Sequence, residues 1–205
     1  YDWGPGDVFL GNDPDCGGGH LPDYNVYAPV YDDAGELIMV QCLQAHQGDT
    51  GGKDPGGFTL EATEIFTEGM AFPCLKLVHR GERRRVVFDL VVRHNRFPTC
   101  AGDLAAMIGG VQHSARLRQG LSRTWGADTV KAAINYTLEH TEQRVREEVG
   151  KWPDGSYEAD VFVDHDTIGS ATDIRVHVAC TVQGDQLTVD LTGTDDRPHL
   201  VGVWN

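Results

Sequence analysis

The sequence predicts an α+β fold, with mixed or antiparallel sheets, a central helical pair and long glycine-rich loops. Three observations carry this reading. Short β-branched or apolar runs bounded by turn residues recur between residues 7 and 100. From about Gly102 to Gly150 the apolar residues fall at helical spacing. Beyond the turn WPDG the pattern returns to strict alternation.

In chain order, VFL (8–10), NVYAPVY (25–31) and ELIMVQCL (36–43) read as strands, and DDAG between the last two makes them a hairpin. HQGDTGGKDPGG (46–57) is a long loop, of the kind that in compact domains often carries function. RRVVFDLVV (84–92) fits a strand or the start of a helix, and its apolar run alone does not decide. RGERRR (80–85), the one dense basic run, reads as a solvated hairpin turn. Leu104, Met107, Ile108, Val111, Ala115 and Leu121 mark one helix. Val130, Ile134, Leu138, Val145 and Val149 mark a second, stopped by Gly150. YEADVFVDHD, DIRVHVACTV and DQLTVDLTGT are three alternating strands, the last two joined by a tight turn at QGDQ. The natural divisions are therefore 1–100, a strand and glycine-loop region with a candidate metal site; 101–150, the helical pair; and 151–205, a hairpin-rich region of the same or an adjoining domain. The closing HLVGVWN has neither a helix cap nor a charged tail, which suggests one piece of a longer polypeptide.

A formal charge of −14 argues against nucleic acid as a partner, because phosphate neutralisation needs basic surface. No apolar run approaches the roughly 18–20 residues of a membrane span. The five cysteines are irregularly spaced with no CxxC pair, and the N-terminus lacks a signal-peptide pattern; both favour a reducing cytoplasm. P-loop, GxGxxG and GxSxG motifs are absent. Cys16 with His20 as base is a weak nucleophile signal, and Cys42 and Cys180, inside apolar strands, read as small buried hydrophobes.

Metal binding suits the stretch NDPDCGGGHLPD (12–23) better. A divalent ion wants carboxylate oxygens and imidazole nitrogens converging from a tightly bent backbone. Asp13 lies in the turn before Pro14, the glycines let the chain fold back, and His20 and Asp23 follow three apart around Pro22. His46, where a strand passes into the glycine loop, is available as a fourth ligand. Asp49 stands three residues on, as an acceptor behind a ligand or a proton shuttle. The competing reading makes Asp13 a turn residue and His20 a backbone hydrogen-bonder. His79, His94, His113, His140, His165, His177 and His199 lack a comparable context and read as surface or core histidines.

PGDVFLGNDPDCGGGHLPDYNVYAPVY, then AHQGDTGG, TEIFTEGMAFPCLKL, DGSY and LTVDLTGTD, resembles the hydantoinase B/oxoprolinase family, which also contains large subunits of acetone and acetophenone carboxylases. The likeness spans nearly all 205 residues, but only a part of a family subunit. It implies a hetero-oligomer with an ATP-binding subunit of the hydantoinase A type. It also implies that the ligands of a divalent metal map onto Asp13, His20, Asp23 and His46. The chemistry of those donors suits Mn, Zn or Fe alike, and Asp49 is the candidate catalytic residue beside them, orienting a ligand imidazole or accepting a proton. Three departures, GGGH for GGTH, His46-Gln47 for paired histidines and the Asp15-Cys16 pair, weigh against a hydantoinase. They lean the reading toward an ATP-dependent ketone carboxylase subunit that joins a bicarbonate-derived carboxyl to carbon. The alternatives are a hydantoinase or 5-oxoprolinase subunit opening a cyclic amide, and a non-catalytic scaffold subunit of such a complex.

Overall fold

The structure, a computed structural model, describes residues 2–57, 59, 62, 64–163 and 173–195. The end of the predicted strand at 164–166, His165, His199 and the closing HLVGVWN lie outside the described residues. The chain divides into two compact units, one up to Lys131 and the other from Ala132 onward, so the division falls inside the second helix.

The first unit is built on a five-stranded antiparallel sheet in the order β3-β2-β1-β4-β5. Its strands are β1 (Val8–Gly11), β2 (Asp23–Tyr31), β3 (Leu37–His46), β4 (Leu75–His79) and β5 (Glu82–Arg83). β2 and β3 form the expected hairpin. Its turn is tied by Asp32 Oδ1, which accepts the N–H groups of Ala34 (2.9 Å) and Glu36 (2.8 Å). Arg80 and Gly81, both at positive φ, make the two-residue turn between β4 and β5 within the basic run.

The ambiguous run at 84–92 resolves as helix α1 (Arg85–Arg93), whose buried residues are Phe88 and Val91, three apart on one face. α2 (Cys100–Trp125) buries Cys100, Leu104, Met107, Ile108 and Val111, again at spacings of three and four. These side chains meet Val8, Leu10, Tyr24, Val26, Ala28, Leu77 and Val78 from the sheet to make the core. Gly110 brings α2 close to the sheet, since a Cβ there would stand 3.3 Å from Leu43 Cδ1. Leu121, placed by its spacing on the helix face, is instead exposed.

α3 (Ala127–Val149) buries Val130 and Val149 near its two ends but leaves Leu138 and Val145 exposed, so the predicted stripe is not covered along its length. The second unit carries the antiparallel sheet β6 (Gly155–Val163), β7 (Ile174–Gln183) and β8 (Gln186–Asp190). Strict alternation puts Tyr157, Val161, Val176, Val178, Cys180 and Val189 on one side. The other side carries Asp160, Arg175 and His177, where Asp160 Oδ1 accepts from Arg175 Nη2 (2.7 Å) and meets His177 Nδ1 (2.8 Å). Among the described residues no helix is long and apolar enough to cross a membrane.

Leu104 is fully buried between α2 and the sheet. Leu104→Ala is expected to lower the unfolding free energy by about 2–5 kcal/mol, read as a drop in the urea midpoint at unchanged slope.

Candidate metal centre

His20, Asp23 and His46 converge at one end of the first sheet, each offering one ligand atom, with all three atoms within 4.8 Å of one another. Two local devices place them. The first is a turn in which His20 C=O accepts the N–H of Asp23 (2.9 Å), which brings both side chains to the same side. His20 Nε2 then lies 3.5 Å from Asp23 Oδ1. The second is strand register. Asp23, the first residue of β2, is directly opposite His46, the last of β3. The His20 and His46 rings stand 4.9 Å apart between centroids. The N–H of Gln47 donates to Pro22 C=O (2.8 Å), pinning the start of the glycine loop to the turn.

Glycine is required beside this turn by close approach. A Cβ on Gly18 would sit 2.4 Å from Asn12 O, and one on Gly19 would sit 2.9 Å from Asp23 Oδ2. Gly18 and Gly19 therefore let a carbonyl and a carboxylate occupy space that side chains would otherwise fill.

Asn12, which the sequence did not single out, is wholly buried and holds the arrangement together. Its Nδ2 donates to Leu21 O (2.7 Å) and Met70 O (2.9 Å), and its Oδ1 accepts the N–H of Phe72 (2.6 Å). Leu21, in the middle of the turn, is buried as well. The motif NDP was legible as a turn at Asp13, but nothing local marked its asparagine as a three-way tie.

Asp13 is not part of the three-residue group. Its Oδ1 accepts the N–H of Asp15 (3.0 Å) and so starts the 3₁₀ turn Pro14–Cys16. Cys16 is exposed and lines a cavity that does not include His20.

Asp49 is buried under a dense set of donors. Oδ1 accepts from Gly56 N–H (3.1 Å) and Arg96 Nη1 (2.8 Å), and Oδ2 from Gly51 N–H (3.3 Å) and Arg96 N–H (2.8 Å). Burial alone pushes its pKa up. The N–H groups of Arg96, Gly56 and Gly51 and the Arg96 guanidinium outweigh that push and hold the carboxyl below its usual range. Such a carboxylate is a poor proton acceptor at neutral pH. Arg96 also donates to Gly51 O (3.0 Å) and Gly52 O, so the pair folds the loop over residues 49–56. No sequence pattern links Arg96 to that loop.

Glu68 is a second residue that sequence reasoning missed. It is 1% exposed, its Oε1 has no hydrogen-bond partner among the described residues, and burial pushes its pKa up to about 7. Its backbone oxygen would lie 3.2 Å from a Cβ on Gly57, which would also lie 3.0 Å from Pro22 Cγ. Glu68 therefore belongs to the layer of loop that backs the His20–Asp23 turn. His79 and His177, read as surface or core histidines, each lie against a carboxylate, Asp7 and Asp160 respectively.

Two imidazole nitrogens and one carboxylate oxygen form a donor set suited to a first-row divalent ion. With bonds of about 2.0–2.2 Å, ligand atoms of one ion are at most ~4.4 Å apart. The three atoms, all within 4.8 Å of one another, meet that limit with at most small side-chain rotations.

The α+β chain that carries this cluster has clear relatives. The hydantoinase B/oxoprolinase family model matches residues 1–201, and the chain belongs to that family. It is 35% identical over 198 residues to a provisionally assigned D-/L-hydantoinase polypeptide, of the B type, from Pseudomonas sp. (strain NS671), covering 94% of this chain and 33% of that protein. It is 31% identical over 191 residues to the acetophenone carboxylase delta subunit of Aromatoleum aromaticum (strain DSM 19018 / LMG 30748 / EbN1), covering 92% of this chain and 28% of that one. The crystal structure of the ATP-dependent caprolactamase from Pseudomonas jessenii superposes with a TM-score of 0.81 at 28% identity, over 92% of this chain and 32% of that chain. The chain thus spans about a third of the length of these three relatives.

Glu68 makes a directional prediction. With a folded pKa of about 7 against an ordinary 4.5, the native form keeps a proton that the unfolded chain has released. Stability is expected to fall as pH rises from about 4.5 through 7, and Glu68→Gln to remove that fall. The variant should gain on the order of a few kcal/mol over the parent at pH 8 and little at pH 4. Parallel pH profiles of urea unfolding for the two proteins would refute it.

Proposed function

We propose that this chain is part of the metal-containing catalytic subunit of an ATP-dependent enzyme that opens a cyclic amide of the hydantoin, oxoproline or lactam class. The observation that carries the proposal is the convergence of His20, Asp23 and His46 beside the loop clamped by Asp49 and Arg96. The likeness to a hydantoinase polypeptide and to the fold of a caprolactamase supports the substrate class. The 31% match to an acetophenone carboxylase subunit favours a second reading, ketone carboxylation, which the sequence motifs alone had placed first.

In this reading His20, Asp23 and His46 are the protein ligands of Mn, Zn or Fe. When bound, the ion supplies Lewis-acid polarisation of a carbonyl or acyl oxygen. Asp13 shapes the turn ahead of the ligands. Asp49 acts through loop geometry and not as the base: it keeps residues 51–56 folded, so that backbone can approach a substrate where side chains would collide. ATP is taken by a partner subunit of the hydantoinase A type, which makes the working enzyme a hetero-oligomer.

Elemental analysis of the full-length subunit is expected to find about one equivalent of metal, lost in His20→Ala and His46→Ala and kept in Asp13→Ala. Equal metal in parent and histidine variants, or none in the parent purified without chelators, would overturn the site and favour a scaffold subunit. With the partner subunit and ATP, the cyclic-amide reading expects ring-opened product. Labelled bicarbonate appearing in the product of an aryl ketone would instead establish carboxylation.

A further inference from the structure

Cys16 and Cys74 open on one cavity, a space of roughly 270 Å³ whose walls include Trp3, Asn12, Asp13 and Tyr27. Backbone pairing brings them there. Leu10 of β1 faces Leu75 of β4, and the N–H of Asn12 donates to Phe72 O (3.0 Å), so residues 11–13 run beside residues 72–74. The 3₁₀ turn then folds Cys16 back, with its N–H donating to Asp13 O (3.0 Å) and that of Gly18 to the same oxygen (2.9 Å). Cys16 is exposed and Cys74 half-buried, so one thiol is open to solvent and the other is partly covered.

Burial pushes the pKa of the Cys74 thiol up, and the Cys16 sulfur pushes it the same way, so the two groups are within electrostatic reach. Cys42 is differently engaged. It hydrogen-bonds Tyr27, and its Sγ lies 3.8 Å from Asn25 Oδ1.

We propose that Cys16 and Cys74 form a paired-thiol modification site that hydrogen peroxide converts to an intramolecular disulfide. The exposed Cys16, as thiolate, attacks one peroxide oxygen. The O–O bond breaks, and the other oxygen leaves as hydroxide and takes a proton to become water. Cys16 is then a sulfenic acid. The Cys74 sulfur attacks the Cys16 sulfur, the S–O bond breaks, and hydroxide leaves with the proton that Cys74 gives up. Two thiols and one peroxide thus give one disulfide and two waters, with two electrons passing from sulfur to oxygen. The bond would close a covalent loop around His20, Asp23 and His46 and the whole glycine loop. It would therefore cross-link the segment that carries the candidate metal centre.

The test treats the full-length subunit with a small excess of hydrogen peroxide, blocks remaining thiols by alkylation and maps peptides without reduction. The expected result is a peptide joining Cys16 to Cys74. It should be reversed by dithiothreitol, be absent in Cys16→Ser and Cys74→Ser, and raise the thermal midpoint of the parent alone. A disulfide from either residue to another cysteine, a sulfenic or sulfinic acid on Cys16 with Cys74 still alkylated, or no oxidation at all would overturn the pairing. The mapping on the parent protein stands even if a serine variant folds poorly.

Discussion

The Asn12 side chain is the constraint on which the candidate site depends. One primary amide, cut off from water, satisfies three backbone groups belonging to two separate stretches, residue 21 on one side and residues 70 and 72 on the other. A buried amide has two donors and an acceptor to place, and all three are used here, so no desolvation penalty is left unmet. Because Leu21 is the inner residue of the turn that presents His20 and Asp23, fixing its carbonyl fixes the direction of both side chains. The same tie sets the end of β1 against the start of β4. Sheet and site share one fastening.

A second buried polar group organises the layer above it. Asp49 neutralises Arg96 and collects three backbone N–H groups, which replaces water around a segment too rich in glycine to pack by side chains. The glycines and the carboxylate are two halves of one solution. The glycines let backbone come close, and Asp49 with Arg96 supplies partners for the donors and acceptors that this leaves over. Glu68 is one exception in that layer, and Gln47 and Thr59 are others: among the described residues each has a buried side-chain oxygen without a partner. A local conflict of this kind is usually kept for a reason, since burial without a hydrogen bond costs on the order of 1–3 kcal/mol.

Much of the architecture was legible in the sequence. Apolar runs flanking a turn signal marked β2 and β3, alternation marked β6, β7 and β8, and spacing of three and four marked α2 and α3. Where the reading of elements stayed open, at 84–92, nothing local could decide it. An apolar run of that length suits either period, and the choice of helix rests on Phe88 and Val91 reaching the core together. The exposed middle of α3 shows the converse, a periodic stripe present in the sequence without a covering surface among the described residues.

For the site, the sequence by itself determined the pieces set by local backbone chemistry. The glycines and Pro22 specify a tight turn, and in a tight turn His20 and Asp23 stand close however the rest folds. Tertiary structure decided everything that depends on residues far apart in the chain. His46 joins Asp23 only because the β2–β3 register sets them opposite, and a slip of one residue would send it to the other face. Asn12, Arg96 and Glu68 have no local signature: two of the three partners of Asn12 and those of Arg96 lie more than 40 residues away, and Glu68 Oε1 has no partner among the described residues. Cys16 and Cys74 share a cavity because β1 pairs with β4. The physical reason is the same in each case: side-chain type is local, but burial and proximity are properties of the packed chain.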